Sequence, residues 1–239
     1  MSRQIIRSAF EQSFSFWPDL TPEDQTYLLD STTHLFLPKG MSIYHEPSSL
    51  YGVFFIVSGG FRIYLLTDAG RDITLYRLGS GQIGYMLSDG ILGEVLFSVN
   101  VETEMNSELF TIRPSAYELI RDRYLQAQLF TYRLTNSRFS DILWTFQQLL
   151  LYSFDKRLAI FLIDELTRTG GDTIHYSQEQ IAKYVGSARE VVSRMLKYFA
   201  REGLIEVGRG GIRVLDKQRL RALAVSTKTE RASMGKSAK

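Results

Sequence analysis

The chain has 239 residues, 44% of them hydrophobic, enough for a core in one or two domains, and a formal net charge of only +2. It contains no cysteine, which excludes disulfides, thiolate-bound zinc, cysteine-ligated iron–sulfur clusters and thiol redox sensing. No apolar run approaches membrane-spanning length, and the two arginines within Met1 to Phe10 are not followed by an apolar signal core, so a cytoplasmic protein without membrane contact is expected.

The first 32 residues read as helical with a break at Trp17-Pro18. Thr21-Pro22-Glu23-Asp24 starts a helix, with proline at the first helical position and acids in the first turn. From Leu35 the pattern changes to short stretches rich in Phe, Ile, Val and Tyr. Glycine turns at Lys39-Gly40, Ser58-Gly59-Gly60, Asp68-Ala69-Gly70 and Gly79-Ser80-Gly81 separate them, which predicts an antiparallel roll or barrel.

Tyr124 to Tyr152 is a single helical stretch. Leu125, Leu129, Tyr132, Asn136, Phe139, Leu143, Phe146 and Leu150 follow a 4-3-4-3-4-3-4 spacing, a coiled-coil seam that two parallel copies would bury. Asn136 takes an a position, where one buried amide fixes register and two-strandedness at a cost in stability. Ser153-Phe154-Asp155 ends the seam, Ser153 or Asp155 can cap a helix over Lys156 to Thr169, and Gly170-Gly171 closes it.

Ser177 to Val214 then spells two short helices, a tight turn and a hairpin. Ser177 caps a helix with Gln180 as its third residue, Gly186 marks the turn, and Ser187 is expected to cap the next helix with Glu190 in the same relative place. Val192, Met195, Leu196 and Phe199 would pack inward, leaving Arg189, Glu190, Ser193, Arg194 and Lys197 on the opposite face. Arginine can donate two parallel bonds to guanine, glutamate can accept from cytosine, and serine fits beside thymine or a phosphate. Gly203 stops the helix, and Leu204 to Val207 and Ile212 to Leu215 read as the strands of a wing. Charge agrees: residues 155–239 hold 17 Lys/Arg against 10 Asp/Glu, whereas residues 1–154 hold 11 against 16. A short helix over Asp216 to Leu223 and a disordered basic tail from Ser226 complete the chain.

The run from Ile181 to Lys197 resembles the winged helix-turn-helix of the cyclic-AMP receptor and fumarate-nitrate reductase regulator (CRP/FNR) superfamily. In that family the glutamate and the arginine four residues on read the half-site, so the resemblance assigns base reading to Glu190 and Arg194, with Ser187 in the same interface. Ser193 is similar to the FNR branch and Arg189 to the CRP branch, which implies a palindrome with TGA-containing half-sites. Leu37-Pro38-Lys39-Gly40, Phe54 to Tyr64 and Gly81-Gln82-Ile83-Gly84 resemble the superfamily's cyclic-nucleotide-binding β-roll, extending the likeness over residues 20–215. The expected fold class is therefore α+β: an N-terminal antiparallel β-roll with helices (1–123), a long dimerisation helix (124–152), a winged helix-turn-helix (153–225) and the tail (226–239). The implied protein is a homodimeric, allosteric DNA-binding regulator that meets palindromic double-stranded DNA, RNA polymerase and a small-molecule effector, and needs no cofactor.

The roll departs from cyclic-nucleotide binders. Gln82 stands where they carry an acid, and no Lys or Arg occurs between Arg77 and Arg113, an interval holding Asp89, Glu94, Glu102, Glu104 and Glu108. An anionic phosphate taken out of water needs a paired cation or a cluster of donors. Cyclic AMP is accordingly not expected; a neutral, apolar or cationic effector is, with Tyr85 to Gly93 as pocket wall and Gln82, Tyr85, Met86, Tyr132 and Asn136 as contacts. Two alternatives compete: a regulator that needs no effector, and a cupin-like metalloenzyme. The enzyme requires a histidine cluster, but only His34, His45 and His175 occur, and haem ligation by His45 would rest on one residue. Neither a catalytic set nor a metal site is expected.

Overall fold

The computed structural model describes residues 3–43, 52–67, 72–86 and 99–225. The chain forms two compact units, Met1–Leu66 with Thr74–Trp144, and Thr67–Ile73 with Thr145–Lys239. Among the described residues no helix is long and apolar enough to cross a membrane. His45-Glu46, the wall segment beyond Met86 and the tail from Ser226 lie outside the described residues.

The first unit opens with α1 (Arg3–Ser13), a 3-10 turn at Trp17–Asp19 and α2 (Pro22–Asp30). Thr21 caps α2 by accepting from the Asp24 backbone N–H at 3.2 Å, as the Thr-Pro-Glu-Asp run predicts. Among the described residues eight strands follow: β1 (Thr32–Leu37), β2 (Ser42–Ile43), β3 (Gly52–Ser58), β4 (Gly60–Leu66), β5 (Asp72–Gly79), β6 (Ile83–Met86), β7 (Val99–Thr103) and β8 (Ser107–Ile112). They form two four-stranded sheets, ordered β1-β8-β3-β6 and β2-β7-β4-β5, and every described pairing is antiparallel.

The period of two along β3 divides its side chains between two cores. Phe54 and Ile56 meet Leu37, Phe61, Ile63, Leu75, Leu78, Val101 and Leu109 between the sheets. Val53 and half-buried Phe55 turn the other way, onto Phe10, Phe14, Phe16, Trp17, Leu28, Tyr117 and Ile120 from the helices. Each large apolar side chain so buried contributes about 1.5–3 kcal/mol.

After β8 comes α3 (Pro114–Arg123), which the sequence reading did not anticipate, and then α4 (Leu125–Leu151), close to the expected span. One face of α4 packs on the first unit through Ala127, Phe130 and Leu134, and further along through Ile142.

The second unit adds α5 (Phe154–Thr169), β9 (Thr173–Ile174), α6 (Gln178–Val185), α7 (Arg189–Arg201), β10 (Ile205–Gly208), β11 (Gly211–Val214) and α8 (Lys217–Val225). Ser153 occupies the N-cap of α5 without a side-chain cap bond, and Gly170 closes that helix. A three-stranded sheet, ordered β10-β11-β9, replaces the expected two-stranded hairpin. The core joins Leu158, Leu162 and Leu166 of α5 to Ile181, Val192, Leu196, Phe199, Ile212 and Leu220. Buried Glu165 pairs with Arg168 at 2.7 Å, and Arg168 donates in turn to the Tyr176 hydroxyl at 2.7 Å, tying α5 to the approach to α6.

Candidate nucleic-acid interface

The first helix of the pair begins as its sequence dictates. Ser177 Oγ accepts from the Gln180 N–H at 3.2 Å, and Gln180 Oε1 accepts from the Ser177 N–H at 2.9 Å, a complete capping box. It ends at Gly186, whose φ of 59° is in the left-handed region, and the Ser187 N–H donates to the Ala182 carbonyl at 2.9 Å.

That bond corrects the expectation for Ser187. The serine belongs to the closing turn of α6, and the N-cap of α7 is Ala188, without a side-chain cap bond. Glu190 is thereby the second residue of α7 and not the third, too early to complete a capping box with Ser187. It stays in the acidic first turn, where the helix dipole favours a negative charge.

The two faces of α7 separate cleanly. Val192, Leu196 and Phe199 are buried and Met195 is half-buried against the same core. Arg189, Glu190, Arg194 and Lys197 are exposed, and Ser187 and Ser193 are half-buried. Among the described residues none of these four exposed side chains makes a hydrogen bond or an ion pair within the protomer. Glu190 and Arg194 stand one helical turn apart on that face.

The wing follows α7. β10 and β11 pair from Ile205 with Val214 to Gly208 with Gly211, and β9 zips onto β11 through Ile174 and Ile212. Arg213 is paired with Glu206 at 2.6 Å, whereas exposed Arg209 at the wing tip makes no hydrogen bond or ion pair among the described residues. The helix-centred sequence reading passed over Arg209, although an arginine set among Gly208, Gly210 and Gly211 is a visible signal.

The predicted seam is an exposed stripe on the protomer. Leu125, Leu129, Tyr132, Asn136, Phe139, Leu143 and Leu150 are exposed, Leu150 to 80%, and Phe146 is half-buried. They lie away from the face of α4 that packs on the roll.

The model of the Crp-like helix-turn-helix domain family matches residues 156–223. A transcriptional regulator of the CRP/FNR family from Eubacterium rectale is 34% identical, and the match covers 90% of this chain and 100% of that one with a TM-score of 0.82. The chain belongs to the CRP/FNR family. It is also similar to the cyclic AMP receptor protein of Thermus thermophilus, 27% identical over 86% of this chain and 94% of that protein. The transcriptional activator protein FnrA of Stutzerimonas stutzeri is 29% identical over 79% of each. A CRP/FNR chain with this helix-turn-helix is a transcription regulator with a DNA-binding domain, and its relatives are regulators, not enzymes.

In this CRP/FNR regulator the residues proposed for an effector are dispersed. Gln82 is exposed and turned onto its own loop, its Oε1 accepting from the Gly79 N–H at 2.8 Å. Tyr85 faces α3, with its hydroxyl 3.4 Å from Arg121 and its ring 5.8 Å from that of Tyr117. Burial pushes the Tyr85 hydroxyl pKa up, while the charge of Arg121 works against that shift. Tyr132 and Asn136 lie on the exposed stripe of α4. Among the described residues no hydrogen bond or ring contact joins any two of these four, and Met86 ends β6. Gly84 of β6 stands opposite Phe54 of β3 in the same sheet, and a methyl group there would overlap the Phe54 ring, which packs on Phe61 of the other sheet at 5.8 Å.

One arginine of the roll was missed. Arg62 is only 3% exposed, bonds to Glu102 at 2.7 Å and Thr74 at 3.3 Å, and lies over the Tyr64 ring at 3.9 Å. Its signal would have been Arg62 and Glu102 on facing strands, but strand register is not visible in sequence alone. No three His, Asp or Glu side chains group as a metal site would require among the described residues.

Proposed function

We propose that this regulator acts as a homodimer paired through α4 and reads a palindromic duplex, each protomer laying α7 in the major groove. Glu190 and Arg194 read base edges, Arg189 and Ser193 lie beside them, and Ser187, Lys197 and Arg209 meet phosphates. The observation that carries this reading is the exposed face of α7, where four charged side chains have no partner among the described residues while the reverse face is locked into the core. The exposed seam supports pairing, and a two-fold axis matches a palindrome. The functional division follows: 1–123 senses, 124–152 pairs, 153–225 binds DNA, and the basic tail 226–239 lies outside the described residues. RNA polymerase in the cytoplasm is the further partner this role implies.

Control by a small effector other than cyclic AMP completes the proposal. Two observations support it: Arg62 and Arg77 are each engaged by a carboxylate, and the Phe54 ring fills the space over Gly84. The same filling favours a second reading, a regulator that binds DNA without any effector.

Enrichment of duplexes from a randomised pool by the purified protein tests the main reading. We expect inverted half-sites with centres about 10 base pairs, or a multiple of that, apart. Recovery of unrelated sequences, or a monomer at micromolar concentration with enriched duplex present, would overturn it. Full-strength binding by protein stripped of small molecules would select the effector-independent reading.

A further inference from the structure

The turn between α6 and α7 is held from outside itself. Val185 is the last residue of α6, and a helix end leaves such carbonyls without intrahelical partners. This carbonyl accepts a 2.9 Å hydrogen bond from Nη1 of Arg157 on α5. The guanidinium thus sits at the negative end of the α6 dipole. A Cβ on Gly186 would stand 2.9 Å from Cδ2 of Leu149, in the last turn of α4, and 4.0 Å from the same Arg157 Nη1.

Arg157 keeps this place against its own solvation. Its Nε is buried without a hydrogen-bond partner among the described residues, and its guanidinium carbon lies 5.6 Å from the centre of the Phe154 ring. An apolar side chain of similar length would fill the space without leaving a donor unpaired. What it could not do is hold the Val185 carbonyl. α7, for its part, has Ala188 as its N-cap with no side-chain cap bond, so no cap side chain holds the end where Arg189 and Glu190 lie.

We infer that Arg157 and Leu149 are positioning residues for base recognition: they fix the Gly186 turn, and through it the tilt and rotation of α7, without touching DNA. The inference rests on the DNA reading proposed above. It also makes α4, the helix of the exposed seam, a direct support of the recognition turn through Leu149.

The test uses the full-length protein and two duplexes, one enriched by the wild type from a randomised pool and one of random sequence. Arg157→Met removes the donor and keeps the length. It should lower the preference for the enriched duplex about tenfold or more, as loss of well-aligned base contacts does, and leave random-sequence affinity and its salt slope at the wild-type values. Arg157→Lys, which restores a donor, should recover much of the preference. Leu149→Ala, with the Arg157 bond intact, should give a smaller loss in the same direction. Wild-type preference in both Arg157→Met and Leu149→Ala overturns the proposal. So does a loss that falls equally on both duplexes in step with the melting temperature, since that marks a structural role alone. If Arg157→Met does not fold, wild-type preference in Leu149→Ala overturns the proposal by itself. A wild-type protein that enriches no sequence removes the DNA reading before any variant is made, and is thereby told apart from failure of the positioning role.

Discussion

Arg123 grips both carboxylate oxygens of Asp24, at 2.6 and 2.8 Å, joining the first turn of α2 to the point where α3 gives way to α4. Tyr124 adds a 2.6 Å bond to the same carboxylate. Burial alone would raise the Asp24 carboxyl, but the bonds from Tyr124 and Arg123, the Arg123 charge and Thr21 together hold it below the ordinary carboxylate value. A carboxyl depressed in the folded state stabilises fully above its unfolded value, about 4, and that contribution is lost as pH falls through the folded value. Asp24→Asn should therefore lower the melting temperature at pH 7 and flatten its fall between about pH 5 and pH 3. Parallel melting curves for the two proteins across that range would show that the clamp contributes nothing.

On α7 the prediction separates base readers from phosphate contacts. Arg194→Ala should cost about 1–3 kcal/mol on the enriched duplex and relax preference at one guanine, whereas Lys197→Ala should weaken all sequences alike and reduce the salt slope by about one. Equal losses on enriched and random DNA would remove Arg194 from the readers. Glu190 completes no cap with Ser187, so Glu190→Gln should change sequence preference with little change in stability; unaltered preference would leave it a solvated charge.

Along the proposed seam, Asn136→Leu should raise dimer stability while loosening the choice of register or oligomer, because an amide buried by pairing would contribute discrimination at a cost. Leu143→Glu should do the opposite and drive the protein toward protomers. Sedimentation at several concentrations reads both, and unchanged dimerisation in Leu143→Glu would place the interface elsewhere.

In the roll, Gly84→Ala should destabilise by about 1–3 kcal/mol because the added methyl overlaps the Phe54 ring. Phe54→Leu in the same chain should recover part of that loss, and chemical unfolding of the single and double variants would show it. Additive losses would mean that the ring can move aside without cost.

Much of the DNA-binding unit was legible because its signals are local. Ser177 and Gln180 are three residues apart and form the box their identities predict, and the inward stripe Val192, Leu196 and Phe199 follows the helical period. Ser187 misled because a serine three residues before a glutamate has the same spelling in a cap and in a closing turn; the bond to Ala182 decides between them, and it lies upstream of the pattern. β9 is two residues long, too short for any alternation to show, and it exists because β11 offers an edge. The roll was legible as strands and turns but not as a site. Which of Gln82, Tyr85, Tyr132 and Asn136 share a surface depends on facing and register, quantities that only the folded chain supplies.

Leu125, Leu143 and Leu150 are exposed on the single chain, and pairing through them would tie its behaviour to abundance. If two copies cover that stripe, pairing follows the square of chain concentration until the dimer saturates, and any melting temperature rises with protein concentration. Below that point a twofold change in expression would alter occupancy of a palindrome nearly fourfold, while above it the response becomes proportional. The spacing of leucines along one helix would then set the dose at which a gene begins to respond.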